Sequence, residues 1–162
     1  MPDVVIAAEP WATAQPECRA LQAAHFAEVE GPLAKLRPYR LNEALMQRAA
    51  DAGMLHAIVA RVDGVFAGYL TWTISDDPES MGMLKAEQGA LYVDPAYARH
   101  RLMDRMVAFS TPYLRARGVQ CLFMHHRLLG RGARLGLWFR RRLRAIEIKH
   151  EYFVWIGEQP RG

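Results

Sequence analysis

Residues 91–102 read LYVDPAYARHRL, and this stretch is the most informative about the fold of the chain. Its apolar half predicts a strand that ends at Asp94-Pro95, and the periodic apolar residues that follow predict a helix. Two cationic residues, Arg99 and Arg101, stand just before that helix. Free backbone N–H groups and the helix dipole favour an anion at such a helix start. The stretch therefore predicts a strand–turn–helix unit that binds an anionic group.

The overall composition is that of a globular protein. The chain has 162 residues, of which 51% are hydrophobic and 23% charged, and this length predicts a single domain spanning residues 1–162. No apolar run approaches a membrane-spanning length, and the first residues lack the features of a signal peptide, so we expect a cytoplasmic protein. Cys18 and Cys121 lie far apart, which predicts neither a disulfide scaffold nor a metal site.

Positive charge is concentrated in two groups of residues. The net charge is +4, from 21 basic and 17 acidic residues. One group is Arg99, His100, Arg101 and Arg105, and the other is Arg127, Arg131, Arg134, Arg140, Arg141, Arg142 and Arg144. Such groups suit phosphates, either on a cofactor or on nucleic acid, although the second could equally be a solvated basic face.

The order of patterns predicts an α/β (α+β) fold with a mixed, mostly antiparallel sheet of six to seven strands and about four helices. Strands are expected at residues 4–7, 55–62, 65–74, 87–93, 119–124, 143–148 and 152–156. Pro16 suits the first position of the first helix, and Asn42 suits the N-cap of the second. Asp63-Gly64 predicts a hairpin turn, and a helix over residues 102–118 predicts a parallel crossover to the next strand.

This order of elements and the stretch over residues 91–101 resemble the GNAT superfamily of N-acetyltransferases. Residues 62–69 resemble that family's central hairpin, and residues 138–147 resemble the exit from its last helix. The closing residues, together with His125-His126, are most similar to GNAT-like proteins of tailed bacteriophages. The resemblance covers residues 54–157 and implies a sheet that splays near Tyr92.

The resemblance implies that acetyl-CoA is the cofactor and that the stretch described above holds it. The residues implied to bind it are Leu91, Tyr92, Val93, Arg99, His100, Arg101, Leu102 and Met103. The family's loop reads Arg/Gln-x-x-Gly-x-Gly/Ala, and Ala98, Arg101 and Met103 occupy those positions here. Glycine lets the backbone approach a pyrophosphate closely, so Arg101 and Met103 add bulk at that point.

Acetyl transfer needs a base for the amine and a proton for the departing thiolate. Glu87, the only acid in residues 86–93, is the candidate base, and the alternative is a solvated strand end. His125 is a candidate base or proton relay, or simply a polar residue after the fifth strand. Many relatives have a tyrosine at the position of Trp138, and tryptophan cannot act as an acid. Tyr152 and Tyr92 are therefore the candidates for protonating the thiolate.

Three functions are consistent with the sequence. The first is an acyl-CoA-dependent N-acyltransferase that acetylates an amine of a small molecule or a protein. The second is a catalytically degenerate GNAT fold, a pseudoenzyme that serves as a structural or binding component with protein partners, for example within a phage particle. The third is a module that binds nucleic acid through its basic groups. None of the three predicts a metal ion or a membrane partner.

Overall fold

The computed structural model describes residues 2–30, 39–125, 135–144 and 146. These residues divide into two compact units. The first contains the described residues up to 22 together with 42–124, and the second contains those of 23–41 and 125–162. No helix in the described part of the chain is both long and apolar enough to span a bilayer.

The first unit is built on one sheet. Its strands are β1 (Val4–Glu9), β2 (Leu55–Val62), β3 (Val65–Asp76), β4 (Leu84–Val93) and β5 (Val119–Phe123). The helices of the chain are α1 (Trp11–Glu30), α2 (Glu43–Asp51), α3 (Leu102–Arg115) and α4 (Leu135–Leu143), and a 3₁₀ helix covers Pro95–His100. Helix α4 belongs to the second unit, and α1 runs from the first unit into the second.

The sheet has the order β1-β2-β3-β4-β5. Neighbouring strands from β1 to β4 pair antiparallel, whereas β4 and β5 pair parallel. Helix α3 lies between β4 and β5 in the chain, as a parallel connection requires. The predicted fold class, a mixed and mostly antiparallel sheet with flanking helices, is therefore confirmed, with five strands in the described residues.

Local sequence signals set several of these boundaries. The Asn42 side chain accepts a hydrogen bond from the Leu45 N–H at 3.0 Å and caps α2, as predicted. Asp63 and Gly64 have φ values of 50° and 79°, the left-handed backbone that a tight hairpin turn requires. Gly118, with φ 85°, follows α3 where a stop was expected.

Three boundary predictions are wrong. Strand β4 begins at Leu84 and not at Glu87, so the candidate base lies inside the strand, because the residues before it already pair with β3.

The other two wrong boundaries concern helices. Pro16 does not begin α1 but lies inside it, because the helix starts at Trp11, after Pro10 accepts the first backbone hydrogen bonds. Trp11 and Cys18 are buried on this helix, and the packing of that apolar face outweighs the lost hydrogen bond at Pro16. Leu143, predicted to open a strand, is instead the last residue of α4.

The remainder of that predicted strand lies almost entirely outside the described residues, as does the final predicted strand at residues 152–156.

Helix α3 packs against the sheet through a buried polar link. The Trp72 indole N–H on β3 donates to the Ser110 hydroxyl on α3 at 2.9 Å, and that hydroxyl donates to the Met106 carbonyl at 2.8 Å. All three residues are fully buried, with Leu102 and Leu114 beside them in the core. This packing fixes α3, and hence its N-terminus, relative to the end of β4.

Candidate functional site

Strand β4 extends well beyond its parallel neighbour. The pairing of β4 with β5 ends at Glu87, opposite Phe123, and β5 itself stops there. Strand β4 continues to Val93 and remains paired with β3 along its other edge. On the β5 side of Leu91 and Val93, no strand pairs among the residues that the structure describes, so we call this the open edge.

The direction of the β4 amides follows from the ladder with β3. The Asp94 N–H donates to the Ala67 carbonyl at 2.9 Å, which marks this position as a hydrogen-bonded pair. Because such pairs alternate along an antiparallel ladder, the Tyr92 amide faces β3 while those of Leu91 and Val93 face the open edge. Two backbone N–H donors therefore stand in a row where an extended ligand could pair.

The two strands approach each other closely at this end. Gly68 on β3 is opposite Val93, and a Cβ on Gly68 would lie 2.7 Å from the Tyr92 carbonyl oxygen. Only glycine leaves room for the backbone here. Gly68 therefore helps to hold the segment that carries both outward amides.

The loop after β4 leads directly to the start of α3. The Asp94 carboxylate accepts from the Ala96 N–H at 2.9 Å and caps the 3₁₀ helix. Arg101 then adopts a left-handed backbone, with φ 53° and ψ 38°, and α3 begins at the next residue. The Arg101 carbonyl accepts the first hydrogen bond of α3, from the Arg105 N–H at 3.1 Å. The amides before Arg105 in the first turn therefore have no intrahelical acceptor.

The charges at this helix start are partly paired with one another. The Arg101 Nε donates to the Asp104 carboxylate at 2.9 Å, with the Arg101 side chain 64% exposed. The Arg99 Nε donates to the His100 Nε2 at 3.2 Å, and Arg105 donates to the Val4 carbonyl at 3.0 Å. Cationic groups thus surround the first turn of α3, with one carboxylate among them.

Two of the predicted catalytic residues, Glu87 and Tyr92, lie on β4 and differ in their exposure. Glu87 is exposed at the last residue of β4 that pairs with β5. Tyr92 is 8% exposed, and its ring lies 6.2 Å from that of Tyr69. Cross-strand partners share a face, and Glu87 pairs with Thr73 while Tyr92 pairs with Tyr69, so the carboxylate and the phenol are on one face of the sheet.

The other predicted residues lie in the second unit or outside the described residues. His125 is exposed just after β5 and belongs to the second unit. Trp138 lies in α4, in an edge-to-face contact with Phe139 at 5.6 Å between ring centroids. Tyr152 lies outside the described residues. Within those residues, no group of three or more metal-ligating side chains occurs.

The sequence analysis missed a histidine–tyrosine pair beside α3. The His56 Nε2–H donates to the Gly53 carbonyl at 2.9 Å, and its Nδ1 then accepts from the Tyr113 hydroxyl at 2.9 Å. Burial lowers the pKa of His56, and the positive charge of Arg117 lowers it further. The hydrogen bond to Gly53 acts in the opposite direction. No spacing in the sequence could indicate this pair, because its members are on separate elements.

It also missed the irregular register of β4. The pairing with β3 shifts between Thr71 and Trp72, which makes Gly89 an extra residue on β4. A glycine inside a strand pattern is the signal that could have indicated this bulge.

Comparisons with known proteins agree with this architecture. A family model described as "Acetyltransferase (GNAT) family" matches residues 8–135. No curated protein sequence matches the chain.

Solved structures share the fold at low sequence identity. An aminoglycoside acetyltransferase, HMB0005, from an uncultured soil metagenomic sample has TM-score 0.72 and 16% identity, covering 96% of this chain and 99% of its own. Ribosomal-protein-alanine N-acetyltransferase from Brucella melitensis biovar Abortus 2308 has TM-score 0.68 and 17% identity, covering 96% and 100%. AAC(6')-Iy in complex with the bisubstrate analog CoA-S-monomethyl-acetylneamine has TM-score 0.66 and 14% identity, covering 94% and 97%. These matches carry no support for the finer resemblance to phage proteins.

Proposed function

The chain belongs to the acetyltransferase (GNAT) family, and on that premise we propose that it transfers the acetyl group of acetyl-CoA to an amine. One observation carries this proposal. The open edge of β4, with the outward amides of Leu91 and Val93, leads through one short loop to the N-terminus of α3. An extended amide-containing arm and an anionic phosphate group are what these two features would bind.

The residues present fit coenzyme A. Its arm would lie along the open edge of β4, and its phosphates would take the first-turn amides of α3 with Arg99 and Arg101. Arg101 occupies a position where the family has glycine, and its left-handed φ of 53° is the backbone that glycine adopts without strain. The position therefore has a backbone conformation that suits glycine despite the larger side chain.

Acetyl-CoA supplies an activated acetyl thioester and a thiolate leaving group. The protein's part is to hold the amine beside the thioester, to take its proton and to offer N–H donors where negative charge develops. Glu87 is the group we assign to the amine proton, since it is exposed on β4 where the pairing with β5 ends. Leu91 and Val93 are the donors, and Tyr92, Tyr152 and His125 are the candidates for protonating the thiolate.

The acceptor we propose is an amine of a small molecule or of a protein. Structures that share the fold are named for aminoglycosides and for a ribosomal-protein alanine, which are both amine acceptors. A single-domain protein acting in the cytoplasm suits either class, and both features stay predictions.

A second candidate, a catalytically degenerate fold that serves as a binding component, has one observation in its favour. The Asp104 carboxylate stands in the first turn of α3, where it already pairs with Arg101 and opposes an incoming phosphate. In that case the basic helix start would serve a protein partner or nucleic acid, whether in a phage particle or elsewhere.

Calorimetric titration with acetyl-CoA, followed by thiol-release assays, tests these alternatives. The amine acceptors in these assays would be spermidine, sisomicin and a peptide with an N-terminal alanine. We expect saturable binding of acetyl-CoA and turnover with at least one amine, and we expect Glu87→Gln to keep the binding and lose most of the turnover. Lack of acetyl-CoA binding would refute the proposal, whereas binding without turnover on any amine would favour the degenerate alternative.

A further inference from the structure

Thr71 on β3 makes an unusual contact with the irregular part of β4. Its hydroxyl oxygen accepts a hydrogen bond from the Ala90 backbone N–H at 2.9 Å, in a position where the residue is 3% exposed. A Cβ on Gly89 would lie 2.7 Å from the same hydroxyl oxygen. The Thr71 side chain therefore fills the space beside Gly89 and satisfies the amide that follows it.

The bulge changes which residues of β4 face outward. Before Gly89, Gln88 pairs with Trp72, and after it Ala90 pairs with Thr71. One extra residue shifts the alternation by one, so that the set facing the β5 side changes from even-numbered to odd-numbered residues. Leu91 and Val93 direct their amides to the open edge only because of this shift.

The same shift determines which side chains of β4 share a face of the sheet. Glu87 pairs with Thr73, and Tyr92 pairs with Tyr69, two residues on the same face of β3. Without the extra residue, the carboxylate and the phenol would be on opposite faces of the sheet. The bulge thus puts the proposed base and the Tyr92 phenol on one face of the sheet.

We propose that Thr71 is a positioning residue for acetyl transfer, which sets the Leu91 and Val93 amides by holding the Ala90 amide and fixing the bulge at Gly89. This inference rests on the proposed function, although Thr71 touches neither acetyl-CoA nor the amine in this scheme. A hydroxyl is needed, because without it the half-buried Ala90 amide would lose this acceptor, and that loss would favour a rearranged register.

The test compares three variants with the wild-type protein. Thr71→Val keeps the shape of the side chain and removes the hydroxyl, whereas Thr71→Ser keeps the hydroxyl. Thr73→Val is the control, because it makes the same change on the same face of β3 but not at the bulge. The first measurement is hydrogen exchange of the Ala90 amide by NMR, without ligand, together with the chemical shifts of the Leu91 and Val93 amides. The second is the acetyl-CoA affinity by calorimetry and the kcat with the most reactive amine of the panel above.

In Thr71→Val we expect Ala90 exchange to rise about fivefold or more, the equivalent of one net hydrogen bond, with shifted Leu91 and Val93 amides. We expect kcat to fall about tenfold while the acetyl-CoA affinity changes less than about threefold, because a misplaced donor weakens transition-state contacts most. Thr71→Ser should restore both quantities, and Thr73→Val should leave the Ala90 exchange as in wild type.

Unchanged Ala90 exchange in Thr71→Val would overturn the proposal. So would a kcat loss no larger than that of Thr73→Val, or a loss that Thr71→Ser does not restore, because either result would show a structural role alone. A wild-type protein without acetyl-CoA binding would refute the proposed function instead, and the amide measurements would still decide whether Thr71 sets the open edge.

Discussion

At the scale of single residues, the site depends on backbone conformations that only a few side chains allow. Gly68 leaves the space that the Tyr92 carbonyl occupies, and Arg101 accepts a left-handed φ of 53° at the entrance to α3. The first is a steric requirement, and the second is a conformational cost of about 1–2 kcal/mol for a residue with a Cβ. The two positions bracket the segment that we propose binds acetyl-CoA.

Gly68→Ala should lower the free energy of unfolding by about 1–3 kcal/mol, because the new Cβ meets backbone that cannot rotate away. It should also weaken acetyl-CoA binding, since β4 must move at Tyr92. Urea unfolding and calorimetry measure the two effects.

The matched control is Gly82→Ala, where a Cβ finds open space and only the left-handed φ of 80° is unfavourable. We expect a loss of stability there without a loss of acetyl-CoA affinity. Equal affinity in Gly68→Ala and wild type would contradict the assigned role of β4.

At the scale of elements, the sequence predicted what local chemistry determines. The Asp63-Gly64 turn, the Asn42 cap and the crossover through α3 all follow from residues close together in the chain. The start of α1 was wrong because the packing of Trp11 and its neighbours, a tertiary effect, overrides the signal from Pro16. Gly89 was a signal for the bulge in β4, but the register that the bulge produces depends on the opposite strand.

Helix α3 carries a charge that we expect to oppose the ligand. Asp104→Asn removes the carboxylate from the first turn and releases Arg101. We expect acetyl-CoA to bind about two- to fivefold tighter at low salt, and the free energy of unfolding to fall by about 0.3–1 kcal/mol, because a negative charge stabilises a helix start.

Calorimetry and urea unfolding measure the two opposite effects of Asp104→Asn. The gain in affinity should nearly vanish at about 1 M salt, where screening is strong. An unchanged affinity at low salt would indicate that the phosphates of acetyl-CoA do not bind at this helix start.

The contact between β2 and α3 should make stability depend on pH. Burial lowers the pKa of His56 below 6.5, so the unfolded chain binds a proton more readily than the folded one. This contribution to stability is therefore fully present above about pH 6.5 and is lost as the pH falls toward the lowered value.

Urea unfolding of wild type and His56→Gln at about pH 7.5 and pH 5.5 isolates this effect. We expect wild type to lose more stability than the variant between the two pH values. Parallel losses in the two proteins would show that His56 does not titrate differently on folding.

At the scale of the whole molecule, the fold class was predictable and the site only in part. The order of elements fixed the mixed sheet, and the stretch over residues 91–102 located the helix start. The roles of Glu87 and the outward amides depend on register, which a sequence does not specify. His125 belongs to the second unit and Tyr152 lies outside the described residues, so their predicted roles stay predictions.

The rates at which the two thiols react should differ in the folded protein and become similar when the first unit unfolds. Burial raises the pKa of Cys18 to about 12, with the charges of Glu17 and Glu9 adding to the effect. Cys121 is only half-buried on β5. Because the thiolate is the reactive form, Cys18 should react with a thiol reagent about 100-fold or more slowly than Cys121.

The variants Cys18→Ala and Cys121→Ala assign the two labelling rates. In urea above the unfolding transition, the difference between the two rates should disappear. Similar rates in the folded protein would contradict the burial of Cys18 within the first unit.

The bulge at Gly89 also bears on how the protein behaves in a crowded solution. An exposed strand edge can recruit a strand from another chain and begin aggregation, and a bulge that twists the edge discourages such growth. The bulge therefore limits regular pairing with a neighbouring molecule to the short segment that carries the two outward amides. Colloidal solubility and the capacity to bind an extended ligand would then have a common origin in one glycine.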